Sequence, residues 1–507
     1  MSVESPLKPL GLLLVLPVLL LTGAAQNPSF ERKLGKELHP EHALNRLAFG
    51  ARPGDVERVR KLGLNRWIDA QLHPERIAVN PILAERLTPL QTLNLTTAQL
   101  AEQYPLRAGA QKGKKKDVPA APAKQPGRPG AIVGAELVEA KIYRALYSDR
   151  QLEEVLVDFW FNHFNVYLNK GPERLMVTSY ERDAIRPYVL GRFGDMLRAT
   201  AHHPAMLFYL DNWQSVDPKA MEAISRRRAA GNKQLAKRAR GINENYAREL
   251  MELHTLGVDG GYTQQDVVEV ARCFTGWTLR DPRRGASYFF APRLHDQSAK
   301  TVLGHRIAAG RGEEDGLEVI DILASHPATA RFISRKLAQR FVADQPPQAL
   351  VDRMAAAFTK TQGDLRAVMK TMIGSPEFFS EGAYRSKLKS PFEMVISAAR
   401  ALDAEVTNAK PLSSRIDALG QPLYRKEEPT GYYNTADEWA NTAGLVGRMN
   451  FATALASNQL PGSKVDAARY SPPSAVRLGI DKRLEGRRPT PELIAGLGIG
   501  SPEFQRR

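Results

Sequence analysis

The chain has 507 residues, 43% of them hydrophobic, with 71 lysines and arginines against 55 aspartates and glutamates. This length exceeds one average domain and supplies enough apolar side chains for a large core. The formal charge of +16 suits an anionic partner, such as an acidic polymer or an anionic lipid, and it also suits ordinary solubility. The single cysteine, Cys273, excludes an internal disulfide and a Cys-x-x-Cys-His haem attachment. Its apolar surroundings favour a buried, inert thiol.

The N-terminus predicts export through a Sec-type signal peptide. A short leader with Lys8 precedes the apolar run 10–21, and the small residues Gly23 and Ala25 predict cleavage after residue 25. The run is short for a membrane span, and an uncleaved anchor is the alternative. We therefore expect a signal peptide over 1–25 and a periplasmic or extracellular mature protein. Export argues against a genomic role, and the basic segments lack interleaved aromatic residues, so no nucleic-acid partner is expected.

The rest of the chain predicts an all-α protein. Residues 26–507 form either one large multi-helix domain or two closely packed helical lobes, because helical periodicity is frequent and strand patterns are scarce. The stretch "ELVEAKIYRALYSDRQLEEVLVDFWFNHF" indicates two helices broken at Ser148 and Asp149. The stretch 435–457 predicts one long late helix. At most a minor β-hairpin is expected near 286–306, where "ASYFFAP" is the best strand candidate.

Two segments lack a core pattern and are strongly basic. The segments 107–130 and 225–241 predict flexible insertions, because they are rich in Lys, Arg, Ala and Gly. For the second, a solvated loop and an anion-binding flap over a site are both open. The tripeptide "HPA" at 203–205 and 326–328, and "GSPEF" at 374–378 and 500–504, predict helix starts with proline at the first helical position.

The stretch "NENYARELMELHTLG" carries carboxylates in an apolar helix. On an ideal helix Asn245, Glu249 and Glu252 lie on one face, whereas His254 points elsewhere. Further along the chain, "LHDQSAK" places His295 beside Asp296 in a polar loop. Carboxylates and imidazoles of this kind can act as general acids, bases or anion clamps. The catalytic candidates are therefore Glu249, Glu252, His254, His295 and Asp296.

A second polar helix lies in aromatic surroundings. In "EEVLVDFWFNHFNVY" the residues Glu154, Asp158, Asn162 and Asn165 follow one face, and His163 lies beside it. Together with His203 these residues supply carboxylate and imidazole groups of the kind that hold a divalent metal ion. The candidate metal ligands are Asp158, His163 and His203. The alternative for each is a buried group that hydrogen-bonds the backbone.

Several familiar site types are missing from the sequence. There is no P-loop, no Rossmann glycine fingerprint, no G-x-S-x-G elbow and no H-E-x-x-H motif, so no organic cofactor site is predicted. The stretch "SRKLAQRFVAD" presents Arg335, Lys336 and Arg340 with the spacing of an amphipathic helix, which predicts a solvated basic face.

Long motifs carry a resemblance to a known family. The stretches "HALNRLAFGARPGD", "FWFNHFNV", "GINENYARELMELHTLGVDGGYTQQDVVEVARCFTGWTL", "HDQSAKTVLG" and "HPATARFISRKLAQRFVAD" occur in this order. From about residue 40 to the C-terminal "GSPEFQRR" the chain resembles the bacterial family known as domain of unknown function 1800. The resemblance implies an exported, helical protein with no assigned reaction and no catalytic residue to carry over. It also implies a sulfatase-like exported partner encoded nearby.

Two functional hypotheses follow. The first is an exported enzyme with a carboxylate/histidine site, with a divalent metal ion as its candidate cofactor. The second is a non-catalytic binding or assembly partner of the sulfatase-like protein.

Overall fold

The structure, a computed structural model, describes residues 28–106, 129–229, 241–472, 477–478 and 489–507. The predicted signal peptide and most of both basic insertions lie outside these residues. The described residues contain 22 helices and six short strands, so the all-α prediction is confirmed. In chain order the helices are α1 His39–Leu47, α2 Asp55–Leu62, α3 Leu64–Leu72, α4 Pro81–Leu87, α5 Thr97–Gln103, α6 Pro129–Tyr147, α7 Gln151–His163, α8 Val177–Ser179, α9 Phe193–His202, α10 Pro204–Tyr209, α11 Pro218–Ala229, α12 Glu244–Glu249, α13 Gln264–Cys273, α14 Glu314–Ser325, α15 Pro327–Phe341, α16 Gln348–Lys360, α17 Leu365–Ile373, α18 Pro391–Ala401, α19 Lys410–Ala418, α20 Thr442–Ala456, α21 Pro491–Gly500 and α22 Pro502–Gln505.

The six strands are β1 Trp277–Arg280, β2 Ser287–Phe290, β3 Lys300–Val302, β4 His305–Ile307, β5 Glu405–Val406 and β6 Ser463–Lys464. They form three antiparallel pairs, β1 with β2, β3 with β4, and β5 with β6. Two hairpins therefore lie in or next to the region where one was predicted, and β2 lies within the predicted strand at 286–292. The third pair joins residues far apart in sequence.

Helix ends follow local side-chain chemistry. The break between α6 and α7 falls at the predicted position. His203 and His326 begin α10 and α15, because the Nδ1 atom of each accepts a hydrogen bond from the backbone N–H two residues later, at 3.1 Å. The predicted late helix was too long. It contains a separate turn at Ala436–Glu438, and α20 begins only after Asn441, whose side chain accepts from the backbone of Gly444.

The two "GSPEF" copies differ. Ser501 caps α22 as predicted, because its Oγ accepts from the backbone of Phe504 at 3.2 Å. Ser375 makes the same contact with the backbone of Phe378 at 3.3 Å, yet only a turn follows it. Serine and proline at this spacing therefore predict the cap but not the length of the helix.

The buried apolar side chains form one continuous cluster that runs from Ala43 to Ile499. A small second cluster consists of Leu100, Val133 and Leu175. Within the described ranges no helix combines the length and the apolar character needed to cross a membrane.

Candidate functional site

A cavity lies between α7, α15, α18 and the irregular segment 421–439, and we call it the central cavity. Its volume is about 690 Å³ with the open mouth included. The polar face predicted for α7 opens into this space through Asp158, Asn162 and, just beyond the helix end, Asn165. Aromatic rings and five cationic side chains complete the wall. The cations are Lys141, Arg340, Lys387, Lys426 and Arg507.

Lys141 and Asp158 form an ion pair on this wall. Lys141 Nζ lies 2.7 Å from Asp158 Oδ1, and both side chains are largely buried. The ammonium group also faces the rings of Tyr424 and Phe392, at 4.9 and 5.4 Å from the ring centroids. A carboxylate and the faces of aromatic rings both attract a cation, so these contacts hold the Lys141 side chain at the wall.

Two asparagines hold the outer wall. Asn162 accepts from the backbone N–H of Tyr432 at 2.7 Å and donates to its carbonyl at 2.8 Å. Asn165 donates to the carbonyls of Lys426 and Glu428. The backbone approaches so closely that a Cβ atom on Gly431 would lie 2.2 Å from the carbonyl oxygen of Asn162. The predicted polar face of α7 therefore anchors the segment 426–432 as the rim of the cavity.

Glu393 receives two guanidinium groups in the floor of the cavity. Arg340 donates to its Oε1 atom, and Arg507 Nη2 lies 3.0 Å from the same oxygen. The other oxygen, Oε2, accepts from the backbone of Ser390 at 2.9 Å, in the capping box that begins α18. The prediction of a solvated basic face on α15 was therefore wrong for Arg340, because its partners come from distant parts of the sequence.

Further buried cations surround this group. Lys387 donates to Asp344, and burial lowers the pKa of this lysine to about 8 despite that partner. Arg46 and Arg448 lie within electrostatic range of Glu393, and burial lowers the pKa of their guanidinium groups to about 9 and about 10. We define the buried cation cluster as Arg46, Arg340, Lys387, Arg448 and Arg507.

The cluster has more positive charge than its partners neutralise. Five cations face two carboxylates, Glu393 and Asp344. Several of the guanidinium nitrogens, namely Arg46 Nε and Nη1, Arg448 Nη1 and Arg507 Nε, are buried without a hydrogen-bond partner in the described part of the chain. Buried polar donors normally find partners. Of these residues only Arg507 lines the central cavity, so Arg507 Nε is the unpartnered donor closest to an anion bound there.

His163 and His254 lie together in an aromatic interior away from this wall. His163 Nε2 is 3.1 Å from the carbonyl oxygen of His254, and the ring centroids are 6.1 Å apart. Burial, reinforced by Lys336, lowers the pKa of His254 to about 3 and that of His163 well below its ordinary value. Both rings are therefore neutral at physiological pH.

A π turn determines where His254 lies. Residues Leu250–Thr255 form a π-helical turn, whose backbone hydrogen bonds span five residues instead of the four of an α-helix, and this rotates the following side chains. His254 is consequently buried beside α7, whereas Glu252 accepts from the hydroxyl of Tyr262 at 3.2 Å. Burial and the neighbouring Glu252 raise the pKa of Glu249. The contact between the two predicted site helices is thus made by the histidines and not by these carboxylates.

His203 acts as a helix cap, and its Nε2 atom lies 3.3 Å from Ser179 Oγ. Asp158, His163 and His203 therefore have separate partners. In the ranges that the structure describes, no group of three or more histidine, cysteine or carboxylate side chains is arranged to hold a metal ion. The metal hypothesis stays a prediction.

His295 and Asp296 point to different partners. The buried His295 contacts Asp315 Oδ2 at 3.2 Å, and Lys300 Nζ binds the same oxygen at 2.6 Å. Asp296 accepts from Arg272 Nε at 2.7 Å, which together with Ser298 lowers the pKa of its carboxyl group although burial opposes this. This network ties β3 to α13 and α14, below the surface of the hairpin region.

Most of the buried cation cluster was not predicted from the sequence. One pattern in the sequence could have indicated part of it. The residues "KLK" at 387–389 alternate between charged and apolar, directly before the helix start "SPFE". Such alternation is typical of an extended segment, whose successive side chains point to opposite sides. The pairing of Leu388 with Arg506 confirms that geometry.

Comparison with known proteins assigns the chain to a family. Residues 42–506 match the model of the family described as protein of unknown function (DUF1800). The chain belongs to the DUF1800 family. The match covers nearly the whole sequence, including every residue of the central cavity except Arg507. No curated protein and no solved structure matches this DUF1800 chain.

Proposed function

We propose that this protein is an exported binding protein that takes an acidic ligand in the central cavity. The observation that carries the proposal is the excess of positive charge in the buried cation cluster, three members of which reach the cavity wall. Burying a charge without a counter-charge costs free energy, and an acidic ligand would reduce that cost. Guanidinium and ammonium groups donate strong hydrogen bonds to carboxylate, sulfate and phosphate oxygens.

The lining favours binding over histidine-based catalysis. Neither histidine nor cysteine occurs among the described residues that line the central cavity. The candidate histidines cap helices or contact the backbone elsewhere. An enzyme is the second candidate, and it would have to use Asp158 or Glu393, the two carboxylates on the wall, to act on the bound ligand.

The proposal gives a role to the partner implied by the family resemblance. A sulfatase-like exported protein handles sulfate esters, and a sulfated polymer or lipid would be a ligand common to both proteins. Carboxylated polymers are also anionic, but the oxygens of a carboxylate are arranged differently from those of a sulfate ester. Measuring the binding of sulfated and carboxylated polymers of equal charge shows whether the cavity requires only negative charge or prefers one acid group.

The test is anion-dependent stabilisation. Sodium sulfate is compared with sodium chloride at equal ionic strength, and Tm and the free energy of unfolding are measured for the wild type and for Lys387→Met. A ligand at about 100 times its Kd adds about 2.7 kcal/mol of stability. We expect this gain in the wild type and a much smaller gain in the variant.

Lys360→Met is the matched control, because Lys360 is exposed at the end of α16. It should keep the sulfate response of the wild type. If Lys387→Met does not fold, Lys141→Met removes a second cation of the same wall. Sulfate also stabilises proteins generally, because it is excluded from their surface, so the difference between the proteins decides. An equal gain from sulfate in the wild type, in Lys387→Met and in Lys360→Met would overturn the proposal.

A further inference from the structure

A second cavity lies on the other side of the segment 387–389, and it is independent of the proposed anion site. Its volume is about 1370 Å³ with the open mouth included, and its wall comes from α1, α2, α18 and the C-terminal segment. Successive side chains of an extended segment point to opposite sides. Lys387 accordingly lines the central cavity, whereas Lys389 lines the second cavity.

Lys389 is an unusual lysine. It is 4% exposed, and its Nζ atom lies 3.6 Å from the centroid of the Phe504 ring. Within the described residues this ammonium group has neither a hydrogen-bond acceptor nor a carboxylate within 4.0 Å. Most lysines are solvated or paired with a carboxylate, and Lys389 is neither. Once its ammonium group loses a proton, the lone pair of Nζ is therefore available at the cavity wall.

The charges that face Lys389 come from four elements. Burial lowers the pKa of this amine to about 7, Arg385 and Arg448 act in the same direction, and Glu393 and Glu41 oppose them. The Phe504 ring also favours the ammonium form. The balance leaves a substantial fraction of neutral amine near neutral pH, whereas an exposed lysine is almost entirely protonated there.

Charged side chains of both signs line the same cavity. Its cations include Arg52, Arg385, Arg469 and Arg506, and its carboxylates are Glu41, Glu57 and Glu503. Arg506 is exposed. Arg52 and Arg469 form ion pairs with Asp403, and Arg385 pairs with Glu41. Arg506 has no carboxylate partner among the residues that the structure describes, and it is available to an acidic group of a ligand in this cavity.

We propose that Lys389 is an amine nucleophile that captures a small carbonyl compound bearing an acidic group, such as a 2-oxo acid or an acidic aldehyde. The lone pair of Nζ attacks the carbonyl carbon, a carbon–nitrogen bond forms, and the carbonyl π electrons move to oxygen. Loss of water from this carbinolamine gives an imine. The oxygen of that water comes from the carbonyl group and its two hydrogens come from the neutral amine, so no oxidant or reductant is consumed.

The experiment traps the imine on the full chain. Wild-type protein is incubated with glyoxylate and sodium cyanoborohydride, which reduces the imine to a stable secondary amine, and the modified lysines are identified by peptide mass spectrometry. We expect Lys389 to react at least about tenfold faster than the exposed Lys360 near neutral pH, because more of it is neutral. Its rate should level off above about pH 7, while that of Lys360 keeps rising.

Because both lysines are compared within one wild-type protein, the measurement does not depend on a variant that folds. Arg506→Gln then tests the acidic group. It should slow the capture of glyoxylate by Lys389 and leave the capture of uncharged acetaldehyde unchanged. Labelling of Lys389 no faster than that of Lys360 would refute the nucleophile, and equal slowing of both probes would refute recognition of the acid. Neither result depends on sulfate binding in the central cavity.

Discussion

Lys141 Nζ and Asp158 Oδ1 lie 2.7 Å apart and connect α6 to α7 at the wall of the central cavity. We expect Asp158→Asn to lower the free energy of unfolding by about 3 kcal/mol, because it leaves a largely buried ammonium group without its carboxylate. Chemical denaturation of wild type and variant measures the loss. The double variant Lys141→Met/Asp158→Asn is the control, since it removes both charges. It should be more stable than Asp158→Asn alone, and a double variant that is less stable would contradict the role of the pair.

The helix cap at His203 gives a second prediction. His203→Ala should cost about 1 kcal/mol, because the backbone N–H of Ala205 loses its acceptor, whereas His203→Asn should cost a few tenths. Urea denaturation distinguishes the two variants. The same pair of substitutions at His326, which has the same capping contact, is the matched comparison. If alanine and asparagine were equally destabilising, the imidazole would have a role other than capping.

Metal dependence is tested on protein purified without a chelator. Asp158, His163 and His203 contact separate partners, so we expect less than one equivalent of any divalent metal and a Tm that EDTA does not change. Elemental analysis and thermal unfolding provide the two measurements. A Tm lowered by EDTA and restored by a divalent ion would show that a metal site exists after all.

The buried histidines predict acid sensitivity. The pKa of His254 is lowered by burial from 6.5 to about 3, so the unfolded chain takes up a proton as the pH falls below about 6.5 and the folded chain does not until about 3. Between these values the unfolded state binds more protons, and stability therefore falls as the pH falls. Urea denaturation between about pH 7 and about pH 4 measures this slope. His254→Phe should make it shallower.

Glu173 provides the control of opposite sign. Burial raises the pKa of its carboxyl group well above 4.5, so the folded chain holds this proton where the unfolded chain has released it. Its contribution is present below about pH 4.5 and is lost as the pH rises. Glu173→Gln should therefore make the fall in stability toward acid steeper. A shallower slope in this variant would contradict the assignment.

Cys273 is expected to be inert in the native protein. It is fully buried, and burial raises the pKa of its thiol, so little thiolate is present and no reagent reaches it. A thiol-reactive dye should label it only in denaturant. Ser414→Cys places an exposed thiol on α19 and should be labelled at once. Rapid native labelling of Cys273 would indicate local opening around α13.

Local patterns in the sequence predicted much of the fold. The face Asp158–Asn162 of α7 follows from helical periodicity, and the caps at His203 and His326 follow from residue type and a following proline. What those residues contact depends on segments far away in the chain. Lys141 and the rim at 426–432 contact α7 only through tertiary packing. A short stretch of sequence contains no information about such contacts.

The errors have the same origin. The helical pattern around Arg340 predicts a solvated face. In the structure this side chain is buried, because Glu393 and Arg507 pack beside it. His254 was predicted to point away from Glu249 and Glu252, which holds, but its burial beside α7 depends on the π turn at Leu250–Thr255. The prediction assumed an ideal α-helix with 3.6 residues per turn. Nothing in the local residue types indicates the π turn.

The contact between Arg507 and Glu393 also constrains the order in which parts of the protein can fold. The floor of the central cavity needs the side chain of Arg507, so it cannot close before that residue has been brought beside Glu393. Until then Glu393 has one guanidinium partner fewer, and the segment 387–389 lacks the strand-like pairing with Arg506 and Arg507. The cavity floor therefore depends on contacts between distant parts of the chain, and the anion site that it would form is completed only when those parts have packed together.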